Sequence, residues 1–156
     1  MAGAGQRTLK TLPYRRCRFV TRLPTDYLYT TTHYWVARTG EARLRIGLTK
    51  FGTRLLGEMV EHQFSAEPAA PVSPGQVLGT LEGFKAISEI VCVAKGTFVG
   101  GNPGLERDLT LLNQDPYGAG WIYEVQGVPD PPCMRVRAYA AFLNQTIDRL
   151  RERADR

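Results

Sequence analysis

Glu82-Gly83-Phe84-Lys85-Ala86-Ile87-Ser88-Glu89 joins two runs that read as strands, Val77 to Leu81 and Ile87 to Val93. Both runs are rich in branched apolar residues, and the turn between them, Glu82 to Ala86, contains Gly83. Two strands about a glycine-containing turn predict a hairpin. Lys85 stands in that turn. The chain has four lysines, Lys10, Lys50, Lys85 and Lys95, against sixteen arginines. Arginine therefore serves wherever a plain positive charge is enough. Lysine differs in being a primary amine that can be acylated. A modifying enzyme needs an accessible amine on a rigid turn, and Lys85 meets that requirement. Phe84 and Ala86 flank it, with carboxylates at Glu82 and Glu89. From these residues alone, an ordinary exposed lysine explains the pattern equally well.

Upstream, Phe19 to Leu23, Tyr34 to Arg38 and Ala42 to Leu48 read as further strands, with Thr39-Gly40-Glu41 as a hairpin-like connection. Thr49 to Met59 places Phe51, Leu55, Leu56 and Met59 at helical spacing, with Thr49 as N-cap and Gly57 keeping the helix short. Downstream, Thr97 to Val99 and Trp121 to Val125 are short strands, and Leu105 to Leu112 is a short helix or turn. Ser73-Pro74-Gly75 and Asp115-Pro116-Tyr117-Gly118 are strong turns. Many short strands with frequent turns predict a mainly β sandwich or barrel. After Val128-Pro129-Asp130-Pro131-Pro132, the residues Val136, Tyr139, Leu143, Ile147 and Leu150 mark an amphipathic helix ending in Arg149, Arg151 and Arg153. Its apolar stripe must be covered, by the domain itself or by a partner or second copy. The expected organisation is a basic N-terminal segment (1–26), a β-rich domain (27–127), and a Pro-rich connection with a terminal helix (128–156).

A length of 156 residues suits one domain with a real core. The net charge of +5 is unevenly placed. Residues 1–26 hold six basic residues against Asp26, and residues 135–156 hold six arginines against three acids. The stretch between carries 8 basic and 11 acidic residues. A nucleic-acid binder would carry its basic patch on the folded body, so nucleic acid is not an expected partner. The basic ends read as solvated, or as docking onto an acidic partner or the domain's own acidic body. No apolar run approaches the roughly 20 residues of a membrane span. The Arg-rich start has the composition of a transit peptide. However, Tyr14 to Leu28 alternates like folded chain and no secretory apolar region follows, so a cytoplasmic protein is expected. Cys17, Cys92 and Cys133 are odd in number and lack metal-ligand spacing, which suits a reducing compartment. His33 and His62 have no ligand constellation around them. Nucleophile-elbow, phosphate-loop and zinc-protease motifs are absent, which shifts weight from an enzyme to a carrier or binding module.

The octapeptide resembles the lipoylation motif of the glycine cleavage system H-protein family. There a glutamate precedes the lipoyl lysine by three positions, and Ala, then Ser-Glu, follow it. His33-Tyr34-Trp35 is similar to the family's His-x-Trp opening. Gly47-Leu48-Thr49 through Leu56-Gly57-Glu58-Met59-Val60 is similar to its Gly-Ile-Thr to Leu-Gly-Asp-Ile-Val segment. Gly96, Asn102, Leu105, Leu111 and Asn113 fall in the family's spacing, and Asn113 to Trp121 is close to its Asn-x-Asp-Pro-Tyr-Gly-x-Gly-Trp signature. The resemblance covers roughly residues 28–126. It implies a lipoyl-domain-like barrel-sandwich hybrid with lipoate attached to Lys85. It also implies a non-catalytic carrier of an aminomethyl group and reducing equivalents. The implied partners are glycine decarboxylase, aminomethyltransferase and dihydrolipoyl dehydrogenase, with a lipoate ligase or lipoyltransferase reading Glu82 and Glu89; Phe84, beside the lysine, is a further candidate for ligase or partner recognition. Metal is not implied.

Three features depart from the family pattern. Gly83-Phe84 stands where Ser or Thr followed by Val is usual, Leu109 replaces a proline, and the ends are Arg-rich in a generally acidic family. The Phe84 ring is expected either to pack beneath the arm or to alter which partner reads the turn. An H-like lipoyl carrier for sulfur oxidation or lipoyl relay, and an unmodified interaction module, remain as alternative readings. A biotin carrier fits poorly, because its lysine is normally flanked by methionines.

Overall fold

The computed structural model describes residues 9–155. Arg7 and Arg156, counted above in the basic ends, lie outside the described residues. In chain order the elements are strands β1 (Thr11–Arg16), β2 (Phe19–Pro24), β3 (Leu28–Tyr29), β4 (Tyr34–Gly40) and β5 (Arg43–Leu48), then helix α1 (Lys50–Leu56). Strands β6 (Met59–Phe64), β7 (Pro71–Val72), β8 (Val77–Gly83), β9 (Ile87–Val91) and β10 (Ala94–Gly101) follow. Two short helices, α2 (Gly104–Arg107) and α3 (Leu111–Gln114), strand β11 (Tyr123–Pro129) and helix α4 (Val136–Ala154) complete the chain.

A six-stranded sheet in the order β3-β4-β5-β11-β10-β7 and a three-stranded sheet in the order β6-β8-β9 enclose the main core. Leu44, Ile46, Phe98, Tyr123 and Val125 come from the larger sheet; Leu78, Leu81 and Ile90 come from the smaller. The alternation along β5 shows why the sequence folds this way. Leu44, Ile46 and Leu48 point inward, while Arg43 and Arg45 reach Glu124 on β11 at 3.1 and 3.0 Å. The expected mainly β architecture, a barrel-sandwich hybrid with a terminal helix, is what the chain adopts.

Local departures have local causes. The helix after Thr49 ends at Leu56, because Gly57 takes φ +81°, and Met59 opens β6 instead of closing the helix. Thr49 caps it as expected, accepting from the Gly52 amide at 3.2 Å. Glu82 and Gly83 extend β8 rather than forming the turn. The segment from Leu105 to Leu112 resolves into α2 and α3, with Leu105 and Leu112 as buried anchors.

The β1–β2 hairpin and α4, near opposite ends of the described residues, build a second core. β1 and β2 form a hairpin with full register from Thr11↔Pro24 to Arg16↔Phe19. Its inward residues Tyr14, Phe19 and Leu23 meet Tyr139, Leu143 and Ile147 of α4 and Tyr29, Trp35 and Phe51 of the body. The rings of Tyr29 and Tyr139 stack at 4.7 Å and 8°. At the rim, Tyr14 donates to Asn144 at 2.8 Å, and Arg16 grips Asp148 with two bonds of 3.1 and 2.6 Å. The stripe of α4 is thus covered from within the chain at Tyr139, Leu143 and Ile147; Val136 is half-buried, and Leu150, expected on the same stripe, is exposed.

His33 belongs to this second core. Its ring bonds the Tyr139 hydroxyl through Nδ1 at 2.9 Å, packs against Phe51 and Phe142, and is 9% exposed. Burial pulls its pKa down to about 4. The unfolded chain, with a histidine near 6.5, therefore binds more protons between those values. Stability is expected to be complete above about pH 6.5 and to fall by of order 3 kcal/mol as pH drops toward 4. Urea unfolding of wild type and His33→Gln across this range checks it: the variant should lose this part of the pH slope.

Candidate functional site: the Lys85 hairpin

The predicted hairpin is β8 and β9, closed by Phe84, Lys85 and Ala86, with the Gly83 amide donating to the Ala86 carbonyl at 2.9 Å. Lys85 is exposed at its tip. The tip does not hang free. The Lys85 amide donates to the Leu56 carbonyl at 2.9 Å, and the Phe84 amide donates to the Glu58 carbonyl at 3.0 Å. The carbonyl of Leu56 is one of those a helix leaves unpaired at its end, so the hairpin caps α1 while α1 fixes the hairpin. Close contact demands glycine at Gly83, and at Gly57 the positive φ of +81° favours it beside a tight approach to Lys85. A Cβ on Gly83 would stand 2.1 Å from the Leu56 oxygen, and one on Gly57 would meet Lys85 Cγ at 3.0 Å.

Asn113 secures the clamp. Its Nδ2 donates to the Gly57 carbonyl at 3.0 Å, and its Oδ1 accepts from the Met59 amide at 3.0 Å. One side chain thereby satisfies both sides of the link that holds Phe84 and Lys85. On the sequence Asn113 is only a family-spaced residue; its role is invisible because it lies 28 positions beyond Lys85. Replacing Asn113 with alanine is expected to cost about 1–3 kcal/mol, since two polar backbone groups lose their partner. Amide exchange at Phe84 and Lys85 should accelerate, with the rest of β8 unchanged.

The Lys85 side chain is held lightly. Its Nζ donates to the Arg54 carbonyl at 3.3 Å, and among the described residues no carboxylate lies within 4 Å of it. Glu82 and Glu89 therefore do not pair with Lys85. Register places Glu82 opposite Ile87 and Thr80 opposite Glu89, so both carboxylates share the outer face of the small sheet, with Glu61 opposite Glu82. Phe84 is 78% exposed and Ile87 70% exposed, so the Phe84 ring stands in solvent at the tip. Of the expected site residues, the hairpin gathers Lys85, Phe84 and Glu82 at one end, with Glu89 farther along the same face. From the other side, Tyr34 pins β9, its hydroxyl accepting from the Val91 amide at 3.0 Å and donating to the Glu89 carbonyl at 3.3 Å.

A small two-sheet β fold that displays one exposed amine on a glycine-seated hairpin is the architecture of a carrier domain. The family described as Glycine cleavage H-protein matches residues 27–134, and the chain belongs to that family. The glycine cleavage system H protein of Corynebacterium jeikeium is 36% identical over 126 residues, covering 78% of this chain and 98% of the relative. That of Mycobacterium avium is 38% identical over 104 residues, covering 67% of this chain and 78% of the relative. The crystal structure of a glycine cleavage system H protein from Mycobacterium marinum superposes with a TM-score of 0.68 at 32% identity, over 76% of this chain and 97% of that one.

Proposed function

We propose that the chain is a lipoyl carrier of the glycine cleavage H-protein type, with lipoate joined to Lys85 by an amide bond. The observation that supports it most is the exposed Lys85 amine on a hairpin seated by backbone bonds to α1. The residues present fit the group: Nζ makes a single long bond to a carbonyl, and no carboxylate competes for it within 4 Å among the described residues. When attached, lipoate supplies a strained disulfide able to carry a one-carbon unit and two electrons between enzymes. The chain itself supplies the tether point, its rigidity and its surroundings. The Leu56 and Glu58 carbonyls keep the tip in place, so each enzyme meets the hairpin in one orientation while the side chain stays free to swing. Tethering then raises the local concentration of the reacting group at each partner.

On this reading the partners are glycine decarboxylase, aminomethyltransferase and dihydrolipoyl dehydrogenase, and the chain turns over no substrate alone. A lipoate ligase or lipoyltransferase would read the exposed Phe84 with Glu82 and Glu89. The carrier unit is 27–127, with 1–26 and 128–156 added to it, and the setting is cytoplasmic. The exposed Phe84 ring also favours a second reading, an H-like lipoyl carrier serving another redox pathway.

Intact mass and peptide mapping of the protein from its native host test the proposal. A lipoyl adduct on Lys85 supports it. An unmodified Lys85 in a host with active lipoate ligase overturns it. Loading of the lipoylated chain by the host's glycine decarboxylase then separates the first reading from the second.

A further inference from the structure

We propose that the basic face formed by the β1–β2 hairpin and α1 is a docking surface for an acidic protein surface, carried by the enzyme that loads the Lys85 arm. The inference rests on the carrier reading and adds to it a partner-facing surface whose hairpin, β1–β2, precedes the matched residues 27–134 and whose remainder, on α1, lies within them.

Arg15 and Arg22 lie on the outward face of the hairpin, with Arg18 in its turn, and all three are exposed. Lys50 and Arg54, also exposed, continue the charge along α1. These five cations have no carboxylate within 4 Å among the described residues. The domain's own acidic body therefore does not neutralise them. Arg16 is different: Asp148 holds it, and that pair fixes the hairpin to α4 rather than offering charge outward.

Position makes this patch relevant to Lys85. Lys50 Nζ donates to the Val20 carbonyl at 2.9 Å, and the Arg54 guanidinium lies over the Phe19 ring at 5.8 Å, so β2 rests along α1. The same Arg54 gives its carbonyl to Lys85 Nζ. α1 has seven residues, a length of about 10 Å, so an enzyme closing over Lys85 also meets the hairpin. Between the hairpin turn and α4, Arg151 reaches Cys17 Sγ at 3.3 Å, which extends the positive rim.

The far side of Lys85 has the opposite sign. Glu58 and Glu61 are exposed, and Glu82 and Glu89 lie on the outer face of the small sheet. A polyanion spread across this surface would leave the cations and meet four carboxylates. A protein can match both signs, presenting acids to the hairpin and bases to the sheet. Such complementarity fixes orientation and speeds encounter more than it adds affinity.

The test uses the full chain with Arg15→Glu, Arg18→Glu and Arg22→Glu combined, the corresponding glutamine triple, and wild type. Binding of each unlipoylated chain to the purified glycine decarboxylase of the same host is measured by calorimetry at low and high NaCl. Loading of each lipoylated chain by that enzyme is measured alongside. Wild-type binding should weaken about tenfold with salt. The glutamate triple should bind about tenfold more weakly at low salt and respond little to it, with the glutamine triple between. Wild-type binding that is insensitive to salt, or equal to that of a folded glutamate triple at low salt, overturns the docking surface while the loading assay still reports on the carrier reading. A wild-type chain that cannot be lipoylated or loaded overturns the carrier reading instead. Retention of single-stranded RNA in preference to the decarboxylase, lost in the glutamate triple, would make the occupant nucleic acid and overturn the proposal.

Discussion

Lys85→Arg is expected to leave the fold intact and to abolish both lipoylation and carrier activity, to below detection. Arginine keeps the positive charge and can still donate to the Arg54 carbonyl, the one side-chain bond that Lys85 makes among the described residues. The Lys85 amide bond to Leu56 belongs to the backbone and survives. Stability should therefore stay within about 0.5 kcal/mol of wild type, as for an exposed substitution. What is lost is the acylatable primary amine, which no guanidinium replaces. Mass spectrometry after exposure to lipoate ligase gives the first readout, and glycine-dependent loading gives the second. An interaction module that needs no modification would behave as wild type in its binding, so the same variant separates the two classes of function. Gly83→Ala makes a useful contrast. Its Cβ cannot coexist with the Leu56 oxygen 2.1 Å away, so the tip must lift from α1 although Lys85 is still present. Reduced lipoylation there would show that the seat, and not the lysine alone, is read.

Tyr139→Ala should be the most destabilising of the substitutions considered, by about 3–5 kcal/mol, the range for emptying an aromatic site in a core. The ring is fully buried and stacked on Tyr29. Its hydroxyl meets His33 Nδ1 at 2.9 Å and Thr49 Oγ1 at 2.8 Å. Tyr139→Phe keeps the packing and removes only the hydroxyl, so about 1 kcal/mol is expected. Urea unfolding followed by fluorescence and circular dichroism gives both values. If α4 were an independent appendage, Tyr139→Ala would shift only helix content and leave the main transition in place. A single shifted transition is expected, because Tyr139 is tied to the N-cap of the helix that seats Lys85. Thr49 caps α1, and its amide donates to the His33 carbonyl at 2.9 Å. Loosening α4 therefore reaches the carrier hairpin through α1, and exchange at the Lys85 amide should rise in parallel with the loss of stability.

Much of the carrier fold was legible in the chain because its signals are local. The Val77 to Val93 hairpin announced itself by branched residues around a glycine turn. The scarcity of lysine singles out Lys85. The stripe at Val136, Tyr139, Leu143, Ile147 and Leu150 marks one face of a helix, and α4 buries the middle three of them while Leu150 is exposed. β6 is not legible because Met59-Val60-Glu61-His62-Gln63-Phe64 does not alternate polar and apolar residues, and much of that strand faces solvent. β7 has two residues and no pattern of its own; it exists because β10 offers a partner at Val72↔Gly96. β1 includes Pro13 and two arginines, and only pairing with β2 makes it a strand.

The residue proposed to bear the arm can be read from the sequence: Lys85, in its turn, within a family pattern spread from His33 to Trp121. Periodicity also determined which face of the last helix must be covered. Only the tertiary structure decided what covers it, because a stripe records the need for burial and not the partner. Here the partners are Tyr29, Trp35 and Phe51 of the body and the β1–β2 hairpin, which is brought from 130 positions away in the bond between Tyr14 and Asn144. Tertiary structure likewise decided how Lys85 is held. Its seat is built from the Leu56 and Glu58 carbonyls and the Asn113 amide. Carbonyls are present at every residue, so nothing in the sequence distinguishes the ones that the fold brings beneath the lysine.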